Sequence, residues 1–250
     1  MKPLERLGQA HTPDGTLLEF FRHDGAYLIK AAGVELMSTR RHFSEDRLAE
    51  VACAPLAASP GARVLIGGLG LGFTLRAALR QLQPDAEVVV AELVKSVIDW
   101  NANPDYALSH DTMQDPRVRI VHDDVVNVLA ANATGFDAIM LDTDNGPAGM
   151  LMSENARLYV ARGITLTMNA LRPGGMVAYW SVGEDKPFVG ALQRAGLRVQ
   201  TEHVRAHATS GPIHTLYIAT LRPRENQPTK QLSQRQKTQR KHQAAKMPNE

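Results

Sequence analysis

Four sets of residues in this chain can do chemistry together, and each stands where an apolar run stops. The run VLIG breaks into Gly68, Gly70 and Gly72. EVVVAE ends in Glu92, VRIVH runs into Asp123-Asp124, and FDAIML ends in Asp142, followed by Thr143, Asp144 and Asn145. A strand that ends in glycines and opens a helix lets its backbone approach a nucleotide-like ligand. An acid at the tip of the next strand, about twenty residues on, can accept from both hydroxyls of a ribose. The glycine turn with Glu92 therefore reads as an adenosine-binding βαβ unit. Each piece also has a plainer reading. A glycine turn is often only a turn, a strand-tip acid is often solvated, and Asp123 or Asp124 can serve as a helix N-cap. Four such tips in sequence order argue for a site, because ligands of open α/β sheets bind beyond the carboxyl ends of the strands.

The elements that must carry these tips alternate. Strands are expected at 63–67, 87–92, 117–122, 136–142 and 176–181. Helices are expected at 73–83, 94–102, 124–131, 156–171 and 187–195. Such alternation predicts a parallel sheet covered by helices. The last stretch differs: LRVQTEHVRA and HTLYIATL face each other across a glycine-containing loop with no helix between them. That is an antiparallel hairpin. A mostly parallel seven-stranded sheet with an antiparallel C-terminal hairpin is the Rossmann-like layout of class I S-adenosylmethionine-dependent methyltransferases. Ahead of it, TLLEFFRH and AYLIKAA flank Asp24-Gly25, a hairpin turn signal, and ELMSTR follows Ala32-Gly33. A helix with Ser44 as its N-cap is expected next. The division reads as an N-terminal β-appendage with a linker helix over 1–60, a cofactor-binding catalytic domain over 61–221, and a tail over 222–250.

Composition narrows the class. The single cysteine, Cys53, excludes an internal disulfide framework and fits a reducing cytoplasm. No apolar run approaches the roughly 18 residues of a membrane span, so no membrane partner is expected. The nine histidines form no ligand pair, and no metal site is expected. From Arg222 onward eight Arg and Lys face two acids, with almost no large apolar residues. That tail reads as disordered. Its plain role is solubility; contact with nucleic acid is the alternative.

The chain resembles the spermidine synthase (polyamine aminopropyltransferase) family from about Gly33 to Ser181. DPRVRIVHDDVVNVL, FDAIMLDTDNGP and LMSTRRHFSEDRLAE carry the likeness. The resemblance implies an S-adenosyl cofactor, S-adenosylmethionine or its decarboxylated form, passing over Gly68, Gly70 and Gly72. It implies that Glu92 holds the ribose, that Asp124 meets the adenine amino group with Val125 stacking nearby, and that Asp142 stands beside the reacting end; Asp123, beside Asp124, is counted with the cofactor-binding residues. Two positions depart from the family. The glycine-loop aspartate that binds the cofactor amine falls on Leu71. The second aspartate of the strand-4 loop, the family's general base, falls on Asn145, which cannot take a proton. Asp144 is the substitute, so the catalytic pair expected is Asp142 and Asp144.

Three functions follow. Methyl transfer to a small-molecule acceptor is narrowly preferred, because Leu71 removes a charge that would repel a cofactor carboxylate, and alignment does most of the work. Aminopropyl transfer to a diamine is the alternative, with Asp142, Asp144 and Glu154 as its acids. A non-catalytic cofactor- or RNA-binding protein is the third. A homodimer is a plausible assembly. Trp180 either walls the acceptor pocket or packs in the core. Tyr159 and His122 read as structural, and Met150 and Met152 as an apolar lid.

Overall fold

The computed structural model describes residues 3–143 and 156–221. Four strands open the chain: β1 (Glu5–His11), β2 (Leu17–His23), β3 (Ala26–Ala31) and β4 (Val34–Ser38). They form an antiparallel meander. Its hairpins turn at Asp24-Gly25 and Ala32-Gly33, and all four of these residues have positive φ, as tight hairpin turns require. β1 is absent from the sequence expectation. It is an edge strand with no buried residue, so no alternation marks it.

Helix α1 (Phe43–Cys53) follows, and it starts one residue before the expected cap. His42 occupies the cap position, and its Nδ1 lies 2.7 Å from Asp46 Oδ2. Ser44 is therefore inside the first turn, where its hydroxyl meets Glu45 and His214.

The second sheet has seven strands. Its elements are β5 (Arg63–Gly67), α2 (Phe73–Gln81), β6 (Glu87–Glu92), α3 (Lys95–Ala102), α4 (His110–Met113), β7 (Val118–His122), α5 (Val125–Ala131), β8 (Phe136–Leu141), α6 (Ala156–Tyr159), α7 (Ala161–Ala170), β9 (Leu171–Ser181), α8 (Lys186–Arg194), β10 (Leu197–Arg205) and β11 (Ile213–Leu221). The spatial order is β10-β11-β9-β8-β5-β6-β7. Strands β5 to β9 are parallel, and β11 pairs antiparallel with both β9 and β10. This is the expected class I layout.

Two boundaries differ from expectation. Residues 156–171 form two helices, because Val160 is extended (φ −89°, ψ 166°). Strand β9 begins at Leu171, which pairs with Phe136 before the register shifts between Phe136 and Ala138. The Pro173-Gly174-Gly175 turn lies inside that irregularity.

The central strands are buried on both faces, so they read as continuous apolar runs. Val64, Ile66, Val88, Val90 and Met140 face one core. Leu65, Val89, Ile139 and Leu141 face the other. The N-terminal sheet joins the first core through stacked rings: Phe20 lies 5.0 Å from Trp100 of α3 and 5.7 Å from Tyr27. Each such pair adds about 0.5–1.5 kcal/mol beyond its buried area. This docking lays β3 and β4 over the carboxyl ends of β5 and β6. No helix among the described residues is long and apolar enough to cross a membrane.

Candidate active site

The chain reverses its direction of growth across the sheet at β5, which has β6 on one side and β8 on the other. Such a switch point opens a crevice at the strand ends. Gly68 sits there with φ +95°, and a Cβ on it would lie 2.3 Å from the Asp142 carbonyl oxygen. Only glycine fits so close to another backbone. Gly72 also has positive φ, but its space is taken by Ser109, and it lines a separate small cavity on the other side of the loop.

One chamber opens beyond β5, β6 and β8. Its empty volume, with the open solvent at its mouth included, is about 810 Å³. Gly68, Gly70, Glu92, Asp124, Val125 and Asp142 all line it, under a roof that includes Ile29 and Met37. Six of the sequence-derived site residues are thus brought together. Asp123 is not among the residues lining it: its Oδ1 accepts from the Asp124 backbone N–H (2.7 Å) and from the Asn127 side chain (2.8 Å). The helix cap belongs to Asp124, which accepts from Val126 N at 2.8 Å. Its other oxygen takes Arg157 Nη2 at 2.5 Å.

Glu92 is buried and accepts two backbone N–H groups, Leu69 and Val94, both at 2.8 Å. Burial is the main influence and raises its pKa; the N–H groups oppose that rise. Each carboxylate oxygen keeps a second lone pair for a ligand hydroxyl.

A second chamber adjoins the first, of about 840 Å³ with its mouth. Glu35, Arg41, Glu45, Leu71, Trp180 and His214 line it. Asp142, Gly70 and Met37 line both chambers. Asp142 Oδ2 accepts from the Thr74 hydroxyl at 2.6 Å. Burial pushes the Asp142 carboxyl up to about 6. Glu45 rises to about 8, through burial first and the Asp142 charge second. Arg41 is already paired with Glu35.

Glu45 and His214 were not legible as site residues. Glu45 lies in the first turn of a helix, far in sequence from the strand tips, and no spacing rule singles it out. Trp180 is buried, lines the second chamber, and packs edge-on to His214 at 4.5 Å. Tyr159 packs against Tyr179 and Phe188, as its structural reading expected. His122 is bound to the Leu93 carbonyl. Asp144, Asn145, Met150, Met152, Glu154 and the 222–250 tail lie outside the described residues.

The family model for the spermine/spermidine synthase domain matches residues 49–191. The chain belongs to the spermine/spermidine synthase family. A polyamine aminopropyltransferase from Korarchaeum cryptofilum (strain OPF8) is 30% identical over 121 residues, covering 48% of this chain and 36% of that relative. The alignment therefore spans little more than a third of the relative's length. Among solved structures, spermidine synthase from Thermotoga maritima superposes with a TM-score of 0.66 at 18% identity, over 86% of this chain and 72% of that one. A spermidine synthase in complex with the transition state analogue AdoDATO gives 0.66 at 16%, with the same coverage. A probable spermidine synthase from Corynebacterium glutamicum ATCC 13032 gives 0.57 at 16%, over 88% and 81%. These three share the fold.

The preference for methyl transfer is overturned by these relatives, a family domain and a curated sequence that are both polyamine synthases by name. The structure supplies the physical reason. The preference rested on Leu71 facing the cofactor, but Leu71 lines the second chamber and not the first. Its lack of charge therefore carries no information about a carboxylate in the first.

Proposed function

We propose that this protein transfers an aminopropyl group from decarboxylated S-adenosylmethionine to an amine. The observation that carries the reading is the junction at Asp142. One chamber carries Glu92 and the glycine turn, the other gathers Glu35, Glu45 and Asp142, and Asp142 lines both. Among the described residues the single Arg or Lys lining the second chamber, Arg41, is spent on Glu35. The surplus of carboxylates suits an ammonium ligand.

In this reading Glu92 holds the ribose, Gly68 and Gly70 let the backbone approach the adenosyl group, and Val125 and Asp124 meet the adenine. The cofactor supplies a propyl carbon activated by its sulfonium. The protein's part is alignment and charge: Asp142 and Glu45 hold the acceptor ammonium at the mouth of the cofactor chamber, and the apolar roof excludes water. The same reading sets the enzyme in the cytoplasm, which suits a lone buried cysteine. A homodimer is testable by light scattering.

The test is mass spectrometry of reaction mixtures. With decarboxylated S-adenosylmethionine and a panel of diamines, the expected products are methylthioadenosine and an aminopropylated amine. Absence of both across the panel, with the cofactor bound in calorimetry, would overturn the reading.

A further inference from the structure

We propose that Glu45 takes the proton that the acceptor amine must shed, and that Ser44 and His214 carry it out of the second chamber. The proposal rests on the aminopropyl-transfer reading above. An ammonium has no lone pair, so one proton must leave before nitrogen can attack. The sequence after β8 carries Asn145 where the family resemblance implies the base, and an amide cannot accept that proton. The described residues offer Glu45 instead. It stands in the same chamber as Asp142, and the two carboxyls are close enough for the charge of Asp142 to raise the pKa of Glu45.

The surroundings of Glu45 favour proton exchange. The titratable and charged groups facing it are Asp142 at the end of β8, Asp46 on its own helix, Glu35 of β4, Arg41 ahead of α1 and His214 of β11. Asp46 is in turn 3.7 Å from Arg76 of α2. Among the described residues Arg41 is the only Arg or Lys lining the chamber, and it is paired with Glu35. No cation among the described residues is bonded to Glu45 to hold it ionised. Its partner is the Ser44 hydroxyl, at 2.5 Å from Glu45 Oε2 and 2.8 Å from His214 Nδ1.

A hydroxyl between a carboxyl and an imidazole supports two states. With Glu45 ionised, Ser44 donates to it and His214 Nδ1–H donates to Ser44. With Glu45 protonated, Glu45 donates to Ser44 and Ser44 donates to His214 Nδ1. The two states differ by one proton, taken up at Glu45 and released from His214 Nε2, without movement of a heavy atom. Burial lowers the His214 pKa to about 4, so the ring passes a proton on rather than keeping it. Trp180 packs edge-on against that ring and fixes it. Trp180 is 7% exposed, lines the chamber, and its Nε1–H has no hydrogen-bond partner among the described residues.

The step balances. Glu45 carboxylate takes one proton from the acceptor ammonium. The freed nitrogen pair forms a bond to the propyl carbon as the carbon–sulfur bond breaks, and its electron pair stays on sulfur. The thioether leaves neutral, and the product is a secondary ammonium. The proton on Glu45 passes to Ser44 as the Ser44 proton passes to His214 Nδ1, while Nε2–H is given to solvent.

Two measurements on the full-length protein test this, with putrescine as the amine probe. The first is calorimetry in two buffers of different ionisation enthalpy near neutral pH. Wild type is expected to release close to one proton on binding putrescine, as the ammonium ionises Glu45. Glu45→Gln should bind putrescine and release none; equal release by both proteins overturns the proposal. The second is turnover. Glu45→Gln should lose about 10²–10⁴-fold in kcat, with cofactor affinity unchanged, and should recover rate as pH rises and solution removes the proton. Ser44→Ala and His214→Gln should lose roughly tenfold, less than the loss of the base itself. A Glu45→Gln enzyme near wild-type rate, with the full loss appearing in Asp144→Asn instead, overturns the proposal and leaves aminopropyl transfer standing. Wild type without any aminopropylated product overturns the transfer reading itself.

Discussion

The two chambers use carboxylates in opposite ways. Glu92, in the first, is held by the backbone N–H groups of Leu69 and Val94. A backbone N–H can only donate, so Glu92 is fixed as an acceptor, the property that recognition of two hydroxyls requires. Asp142 and Glu45, in the second, are held by the hydroxyls of Thr74 and Ser44. A hydroxyl donates or accepts as its partner demands, so these acids can change protonation in place. Burial raises all three. In the proposed reaction, what separates a binding acid from a reactive one is the kind of partner, not the depth of burial.

The largest test of this contrast is Asp142→Asn. The amide keeps the shape of the junction and an oxygen for Thr74, but removes the charge shared by both chambers. Turnover should fall by about 10²–10⁴-fold, with the melting temperature nearly unchanged. Steady-state kinetics beside a thermal melt reads both, and a wild-type rate would remove Asp142 from the reaction.

Glu92→Ala comes next. Loss of a two-hydroxyl contact should cost about 2–4 kcal/mol of cofactor affinity. The sequence alone suggests that a strand-tip acid is dispensable for the fold. The structure corrects that: the substitution strands two buried N–H groups, at about 1–3 kcal/mol of stability each. Calorimetry and denaturant unfolding together check both losses, and intact stability would mean that those amides find other partners.

A smaller effect belongs to pH. The Asp142 and Glu45 carboxyls ionise at higher pH in the folded chain than in the unfolded one. The folded state therefore binds their protons more tightly. The resulting stability is fully present below the ordinary carboxylate range and is lost as pH rises through about 6 and then about 8. Relative to Glu45→Gln, wild type should lose about 1–3 kcal/mol across that window, discounted for the partial exposure of Glu45. Parallel pH–stability curves for the two proteins would detach Glu45 from the effect.

The smallest change is Gly70→Ala. Gly70 has φ +54°, and its Cβ would sit 3.2 Å from Met37 Sδ, the end of a flexible side chain. The cost should be about 1–2 kcal/mol, the left-handed backbone penalty alone. Gly68→Ala, whose Cβ would meet backbone, should cost more, and a matching pair of urea midpoints would contradict the packing described here.

Much of the site was legible because it lies on strand tips. An apolar run that stops at glycine or acid marks both the end of a parallel strand and the place where ligands bind, so Gly68, Gly70, Glu92, Asp124 and Asp142 announced themselves in chain order. The seven-stranded sheet was legible for the same reason, since period and length distinguish buried strands from the helices between them. β1 was not, because an exposed edge strand has no apolar face to show.

Which residues meet across the site was decided only by the tertiary structure. Glu45 sits on a helix, Asp142 on a strand end nearly a hundred residues on, and His214 on the last hairpin. Their proximity depends on how α1 packs against the sheet and where β11 inserts beside β9. The side on which Leu71 faces was likewise decided there. A positive-φ glycine on each side of it turns the loop, so neighbouring residues point into different chambers. Residue type is written locally and can be read locally. The pairing of one carboxylate with another, and the pKa that follows, depends on distance through folded space, and sequence separation carries no measure of it.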